Sequence, residues 1–225
     1  MSDYKTDVPV SIPQTPTTAD YATEQDRPLI PDVDEPFELF RLWLKEANAT
    51  EINDSTAMSL ATVDASGQPD VRIVLLRGLG DDGLLKFYTN YDSDKGRQID
   101  ANPSAALCLH WKSLRRQVRI RGIVKKLPGT VSDEYFNQRA AQSRIAAIAS
   151  DQSRPLEDRD TFQRKVAEIT SIYGDDRDIP RPAHWGGYGV QVEAIEFWQD
   201  QAFRMHDRLR LTRTSAGWAS TRLYP

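Results

Sequence analysis

Residues 105–126 read AALCLHW, KSLR, RQVRIRGIVKK, and the period of the last segment decides the fold class. Val118 and Ile120 alternate with Gln117, Arg119 and Arg121. An extended backbone therefore puts the apolar set on one face and the polar set on the other. Short segments of the same kind lie on both sides. Upstream are Met58, Leu60 and Val63, then DVRIVLLR (70–77) and LLKFYTN (84–90); downstream are YGVQVEAIEFW (188–198), DRLRLTR (207–213) and GWASTRLY (217–224). Turn signals separate them at Asp64-Ala-Ser-Gly67, Gly80-Asp-Asp-Gly83 and Asn102-Pro103. Many short strands at regular spacing predict a mainly β protein, a closed or split antiparallel barrel with flanking α-helices.

The helices are legible by their different period. In EPFELFRLWLKEANA (35–49), Phe37, Phe40, Leu44 and Ala47 recur at helical spacing, and Pro36 suits a first helical position. Ser93 followed by DKGRQIDAN predicts a short capped helix stopped by Pro103. Residues 130–150 and 157–173 are predicted as two further helices, with Thr130 and Asp158 or Asp160 as caps. Residues 1–35 are of another kind. They hold eight acids, five prolines and only Lys5 and Arg27 as basic groups. Such a stretch buries too little apolar surface to offset its ordering entropy. The chain is thus read as a flexible acidic, proline-rich arm (1–35) and a single folded domain (36–225).

Charge and composition exclude several functions. The 225 residues carry a net charge of −4, which argues against a general nucleic-acid binder. With the arm set aside, the body changes sign to +2, which permits an anionic small ligand. No apolar run approaches the roughly 20 residues of a membrane span, and the first residues do not resemble a secretory signal. A cytoplasmic protein is expected, with the Asn48 and Asn53 sequons unmodified. Cys108, the single cysteine, rules out an internal disulfide and a multi-cysteine metal site. It sits in AALCL and is expected to be a buried, inert thiol. His110, His184 and His206 have no metal-ligand spacing, so no metal is expected.

Gly78-Leu-Gly80-Asp-Asp-Gly83 matches G-x-G-x-x-G by letter. That motif must open a helix that faces a pyrophosphate. Here a strand follows, and Asp81 and Asp82 would repel phosphate, so a hairpin turn is predicted. Neither a G-x-S-x-G elbow nor a Walker loop occurs. If the chain is an enzyme, a cofactor carries the hard chemistry. Four segments could serve one. Arg72–Arg77 places cations at both ends of an apolar strand. Tyr88–Lys95 runs from a strand end into a helix N-terminus, a natural phosphate site. Tyr135, Arg139 and Ser143, spaced by four, are expected on one helical face. Arg204, His206 and Arg208 are expected on one side of a strand. Each has a bland alternative in a salt-bridged strand, an ordinary cap or a solvated face.

Together the segments carry a resemblance. RIVLL followed by a cation, then F-Y-T-N, R-Q-V, K-K-L-P, E-Y-F, Q-S, W-G-G-Y, E-F-W-Q, R-x-H-D-R and the terminal R-L-x-P occur in one order from Pro36 to Pro225. In this the sequence resembles the pyridoxine/pyridoxamine 5′-phosphate oxidase family, which uses flavin mononucleotide (FMN). The resemblance implies an FMN-binding split antiparallel β-barrel, active as a homodimer with the flavin at the interface. It implies that Arg72, Ile73, Val74, Leu75, Leu76, Arg77, Tyr88, Thr89, Lys95, Gln117, Gln152, Ser153, Trp198 and Arg208 hold the flavin. Arg77, Tyr135, Arg139 and Ser143 would hold the substrate phosphate. Arg204, Met205 and His206 would lie at the pyridine ring, with Arg204 and His206 as catalytic groups. The implied reaction oxidises pyridoxamine and pyridoxine 5′-phosphates with O2, giving pyridoxal 5′-phosphate and hydrogen peroxide.

Four positions depart from the family pattern. Arg77 stands for lysine, Asp94-Lys95 for Arg-Lys, Ala140 for the proline after the substrate arginine, and Thr18 for an arginine three residues before Tyr21. A related flavin oxidase acting on another aromatic, such as a phenazine precursor, and a non-catalytic FMN or pyridoxal phosphate binder are the alternatives. Tyr135, Arg139 and Ser143 favour a phosphorylated substrate.

Overall fold

The structure is a computed structural model and describes residues 12–21, 27–80, 82–174 and 178–225. The strands are β1 (Ala57–Val63), β2 (Pro69–Leu75), β3 (Gly78–Leu79), β4 (Leu85–Asn90), β5 (Ser104–Trp111), β6 (Arg116–Lys126), β7 (Trp185–Gln199), β8 (Asp207–Thr214) and β9 (Gly217–Arg222). The helices are α1 (Thr18–Tyr21), α2 (Pro36–Thr50), α3 (Asp94–Ala101), α4 (Gly129–Asn137), α5 (Ala141–Ala149) and α6 (Arg159–Tyr173). All pairings are antiparallel, in the order β2-β1-β5-β6-β7-β4-β3, with β8 added to β7 and β9 to β8.

The long strand β7 makes the sheet branch. Its first half pairs with β4 and its second half with β8, while β6 runs along nearly all of it. Two half-sheets thus diverge from one strand and curl into a split half-barrel. The register of β6 against β7 slips at Arg121/Gly122. A Cβ on Gly122 would lie 2.1 Å from the Gln191 carbonyl oxygen, so only glycine lets the two backbones approach there.

Strand alternation fills the core. Met58, Leu60, Leu107, Leu109, Val118, Ile120, Ile195, Phe197, Leu209 and Leu211 are buried. Helix α2 closes over them. Glu35 caps it by accepting from the Phe37 and Glu38 amides. Phe37, Phe40, Trp43 and Ala47 are its buried stripe, and Trp43 meets Phe197 edge-on at 5.2 Å. Phe136, Ile145, Ile179 and Trp185 form a second apolar cluster where α4 and α5 meet the start of β7. β3 and β4 pair as a hairpin, as expected, with the Gly83 amide donating to the Gly80 carbonyl at 3.0 Å and Gly83 at φ +77.

Three expectations need correction. The helix predicted over 130–150 is two helices, α4 and α5, broken at Gln138–Ala140, and Thr130 is not its cap. Cys108 is half-buried, not buried, because β5 alternates and turns Leu107 and Leu109 inward instead. Its thiol faces Gln117 Oε1 at 3.2 Å, and burial raises its pKa. The arm does not end at residue 35. Ile30 sits in the main core at 2% exposure, and its amide donates to Asp207 Oδ2 at 2.7 Å. Arg222 then holds the segment through the Ile30 carbonyl and Asp32, each at 2.6 Å. The remainder of the arm lies partly outside the described residues.

Ile30→Ala is therefore expected to lower stability by about 2–5 kcal/mol, the range for truncating a buried aliphatic side chain. Chemical denaturation with a fluorescence readout measures it. A change under about 0.5 kcal/mol, the scale of an ordinary surface substitution, would return Ile30 to a dispensable arm.

Candidate active site

One cavity, about 460 Å³, opens where β2, β4, α3, α4 and α5 converge. Arg77, Tyr88, Thr89, Lys95, Tyr135, Arg139, Ser143 and Gln152 line it, with Ile73, Val74 and Leu75 along one wall. The N-terminus of α3 contributes to its wall through Lys95. Ser93 caps the helix from its buried hydroxyl, and Lys95 Nζ donates to Gln152 Oε1 at 2.8 Å. Thr89 donates to the same oxygen at 3.2 Å. Burial, and secondarily the charge of Arg72, lower the Lys95 pKa. An anion placed there would relieve both effects. Asp94 does not spoil the site, since Arg97 and Arg154 both pair with it.

In the same cavity Tyr88 and Tyr135 stack at 3.8 Å, with Trp185 nearly parallel to both. Arg139 lies over Trp185, 4.8 Å from the ring centroid. Its Nη1 is buried without a hydrogen-bond partner, and burial lowers its pKa. An unpaired buried guanidinium nitrogen is costly, so this geometry suits an anionic ligand. Tyr135, Arg139 and Ser143 do converge, but not on one helical face. Tyr135 is on α4, Ser143 is on α5 and Arg139 is in the break, so a helix–turn–helix brings them together.

A second cavity, about 300 Å³, lies at the end of β7 and contains Trp198, Arg204 and His206 beside Tyr21, Arg115 and Asp200. Arg204 and His206 do not share a strand with Arg208, contrary to expectation. Gln201–Met205 form a tight turn with Phe203 and Arg204 at φ +55 and +61. Two successive non-glycine residues in the left-handed region store strain of a kind that gathers at functional sites. The turn puts His206 against Trp198, ring centroids 4.6 Å apart. Met205 is exposed beside it.

The other expected site residues lie outside both cavities. Arg72 is held within the sheet by Asp70, Gln98 and the Leu60 carbonyl. Leu76 is a core residue. Gln117 stands opposite Trp198 on β6, and Ser153, at φ +70, follows Gln152. Arg208 is bound by Glu196, which also holds Arg210. Burial opposes ionisation of Glu196, but hydrogen bonds from Arg210 and Arg208 and the nearby arginine charges outweigh it and lower its pKa. Asp200 and Trp185 are residues that sequence reasoning missed as site members. Among the described residues no group of three His, Cys, Asp or Glu is placed to hold a metal, and no helix is long and apolar enough to cross a membrane.

A branched antiparallel half-barrel carrying a cationic, aromatic-walled cavity defines a split-barrel protein built to hold anionic aromatic ligands. Residues 44–173 match the model of the pyridoxamine 5′-phosphate oxidase family, and residues 185–225 match the pyridoxine 5′-phosphate oxidase C-terminal dimerisation region. The chain belongs to the pyridoxamine 5′-phosphate oxidase family. It is 63% identical to a pyridoxine/pyridoxamine 5′-phosphate oxidase of Hyphomonas neptunium over 215 residues, covering 95% of this chain and 98% of that protein. It is 54% identical to one from Rhizobium etli, over 85% of this chain and 93% of that protein. Among solved structures, PhzG of Burkholderia lata, in complex with tetrahydrophenazine-1-carboxylic acid, aligns with a TM-score of 0.80 at 28% identity, over 86% of this chain and 94% of that one. A pyridoxamine 5′-phosphate oxidase-related FMN-binding protein of Nostoc punctiforme shares the fold, with a TM-score of 0.67 at 18% identity, over 84% of this chain and 96% of that one.

Proposed function

We propose that this enzyme oxidises pyridoxamine 5′-phosphate and pyridoxine 5′-phosphate to pyridoxal 5′-phosphate, with FMN as cofactor and O2 as acceptor. The observation that carries the reading is the buried, unpartnered Arg139 Nη1 beside Tyr135 and Ser143, in the same cavity as Lys95 and the α3 N-terminus. One cavity thus offers donors for two phosphates. FMN would be held by Lys95, Gln152, Thr89 and the backbone of 73–75, and the substrate phosphate by Arg77, Tyr135, Arg139 and Ser143. The flavin, when bound, supplies a hydride acceptor that oxygen can regenerate, with hydrogen peroxide as product. The protein's part is to bind, orient and desolvate, and to take the proton released from the substrate amine or hydroxyl, a role assigned to His206 Nε2.

His206 and Arg204 stand in a cavity that shares no lining residue with the first among the described residues. They lie within the stretch that matches the dimerisation region. In the proposed homodimer the partner subunit brings its β7–β8 turn to this chain's flavin, so each site needs both subunits. The 63% identity to a pyridoxine/pyridoxamine 5′-phosphate oxidase, against 28% to PhzG, favours the vitamin B6 reading over that alternative. The test is the visible absorbance of the purified protein, mass spectrometry of the released cofactor, and a peroxide assay with both phosphorylated vitamers. Bound FMN and peroxide from either vitamer are expected. Bound FMN without peroxide would mean a binding protein, and bound flavin adenine dinucleotide would overturn the cofactor assignment.

A further inference from the structure

Asp200 follows the E-F-W-Q segment and stands beside the strained turn. Its amide donates to the Arg115 carbonyl at 3.0 Å, so the side chain starts from a backbone clamped to the β5–β6 turn. Oδ2 faces Arg115 Nη1 at 3.1 Å and Arg27 Nη1 at 3.5 Å. Oδ1 faces His206 Nδ1 at 3.1 Å. Two arginines from distant parts of the chain therefore fix the carboxylate, and the carboxylate meets the imidazole edge.

The Gln201 amide N–H also points at His206 Nδ1, 3.3 Å away, and donates to that nitrogen when it is bare. One ring nitrogen cannot donate to Asp200 and accept from Gln201 at once. With Nδ1 bare, its lone pair would face a carboxylate with no proton between them. With Nδ1 protonated, the closer contact becomes a charge-assisted hydrogen bond. The neutral ring then has Nε2 unprotonated, as a proton acceptor. Trp198 packs against the ring at a 45° tilt, so the imidazole is held from two sides. Arg204 and the Tyr21 hydroxyl are the other polar groups of this cavity.

We propose that Asp200 is the positioning residue of His206: it keeps the proton on Nδ1 and so presents Nε2 as the acceptor. The kinetic consequence rests on the activity proposed above, but the ring geometry does not. The test is nitrogen NMR of the full-length protein labelled with 15N-histidine, with the His206 signals assigned by their loss in His206→Gln. In the wild type, Nδ1 is expected to bear a proton. In Asp200→Asn the proton is expected to leave Nδ1, and in Asp200→Glu to be retained. With pyridoxamine 5′-phosphate, Asp200→Asn is expected to lower kcat about ten- to a hundred-fold, the worth of a charged hydrogen bond, with KM changed far less. A bare Nδ1 in the wild type overturns the proposal even if no variant folds. So does an Asp200→Asn enzyme with unchanged ring signals and kcat, or an Asp200→Glu enzyme that behaves like Asp200→Asn. A wild type with protonated Nδ1 that makes no peroxide would retire the oxidase reading and leave the Asp200–His206 contact standing.

Discussion

Arg139→Ala is expected to raise the KM for pyridoxamine 5′-phosphate roughly ten- to a hundred-fold while kcat stays within a few-fold, the cost of losing a charged hydrogen-bond donor. The phosphate lies away from the reacting carbon, so its contacts stabilise ground state and transition state alike. Losing such a contact changes KM rather than kcat. The guanidinium is already in place, lying over Trp185 with Nη1 buried and unpaired. Little reorganisation is then needed to take up an anion. Arg139→Lys is expected to recover part of the loss, since it restores charge but not the planar fork that meets two phosphate oxygens. FMN should stay bound, because the groups proposed to hold it, Lys95, Thr89 and Gln152, bond to one another and not to Arg139. Steady-state peroxide release, with flavin content checked by absorbance, measures all three quantities. An unchanged KM would remove Arg139 from the phosphate site.

Strand period made most of this fold legible, because alternation is a local property: β6 buries Val118 and Ile120 as read, whereas β1 buries Met58, Leu60 and Thr62 and leaves Val63 half-buried. The break between α4 and α5 was not legible, and the reason is chemical. Gln138–Ala140 contain neither proline nor glycine, so the helical spacing of Tyr135, Arg139 and Ser143 runs through the break unmarked. The family pattern has a proline at 140, which would have announced a helix end. The Gln201–Met205 turn is not legible for a similar reason. Phe203 and Arg204 adopt positive φ without glycine or asparagine to signal it. Ile30 was hidden among prolines and acids. Its partners, Asp207 and Arg222, are 177 and 192 residues away, beyond any local pattern. Several lining residues of the two cavities stand in the ordered motifs, whereas their separation into two cavities follows from the course of β7.

His206→Ala addresses the chemical step rather than binding, and is expected to lower kcat by about a hundred-fold or more, as for removal of a general base. The imidazole stands on Trp198 with its Nδ1 turned to Asp200, so Nε2 is the nitrogen available to a substrate proton. That interaction grows as the substrate amine or hydroxyl loses its proton and is weak beforehand. Its loss should therefore lower kcat and kcat/KM together, with KM little changed. Arg139→Ala should show the reverse split, and the contrast separates a residue that holds substrate from one that acts on it. Combining His206→Ala with Asp200→Asn gives a further discriminator. If Asp200 acts only through the imidazole, the double variant should be no slower than His206→Ala alone, a non-additivity expected of one catalytic unit. Additive losses would instead give Asp200 a separate role, and a His206→Ala enzyme with wild-type kcat would take the proton-accepting step away from this histidine.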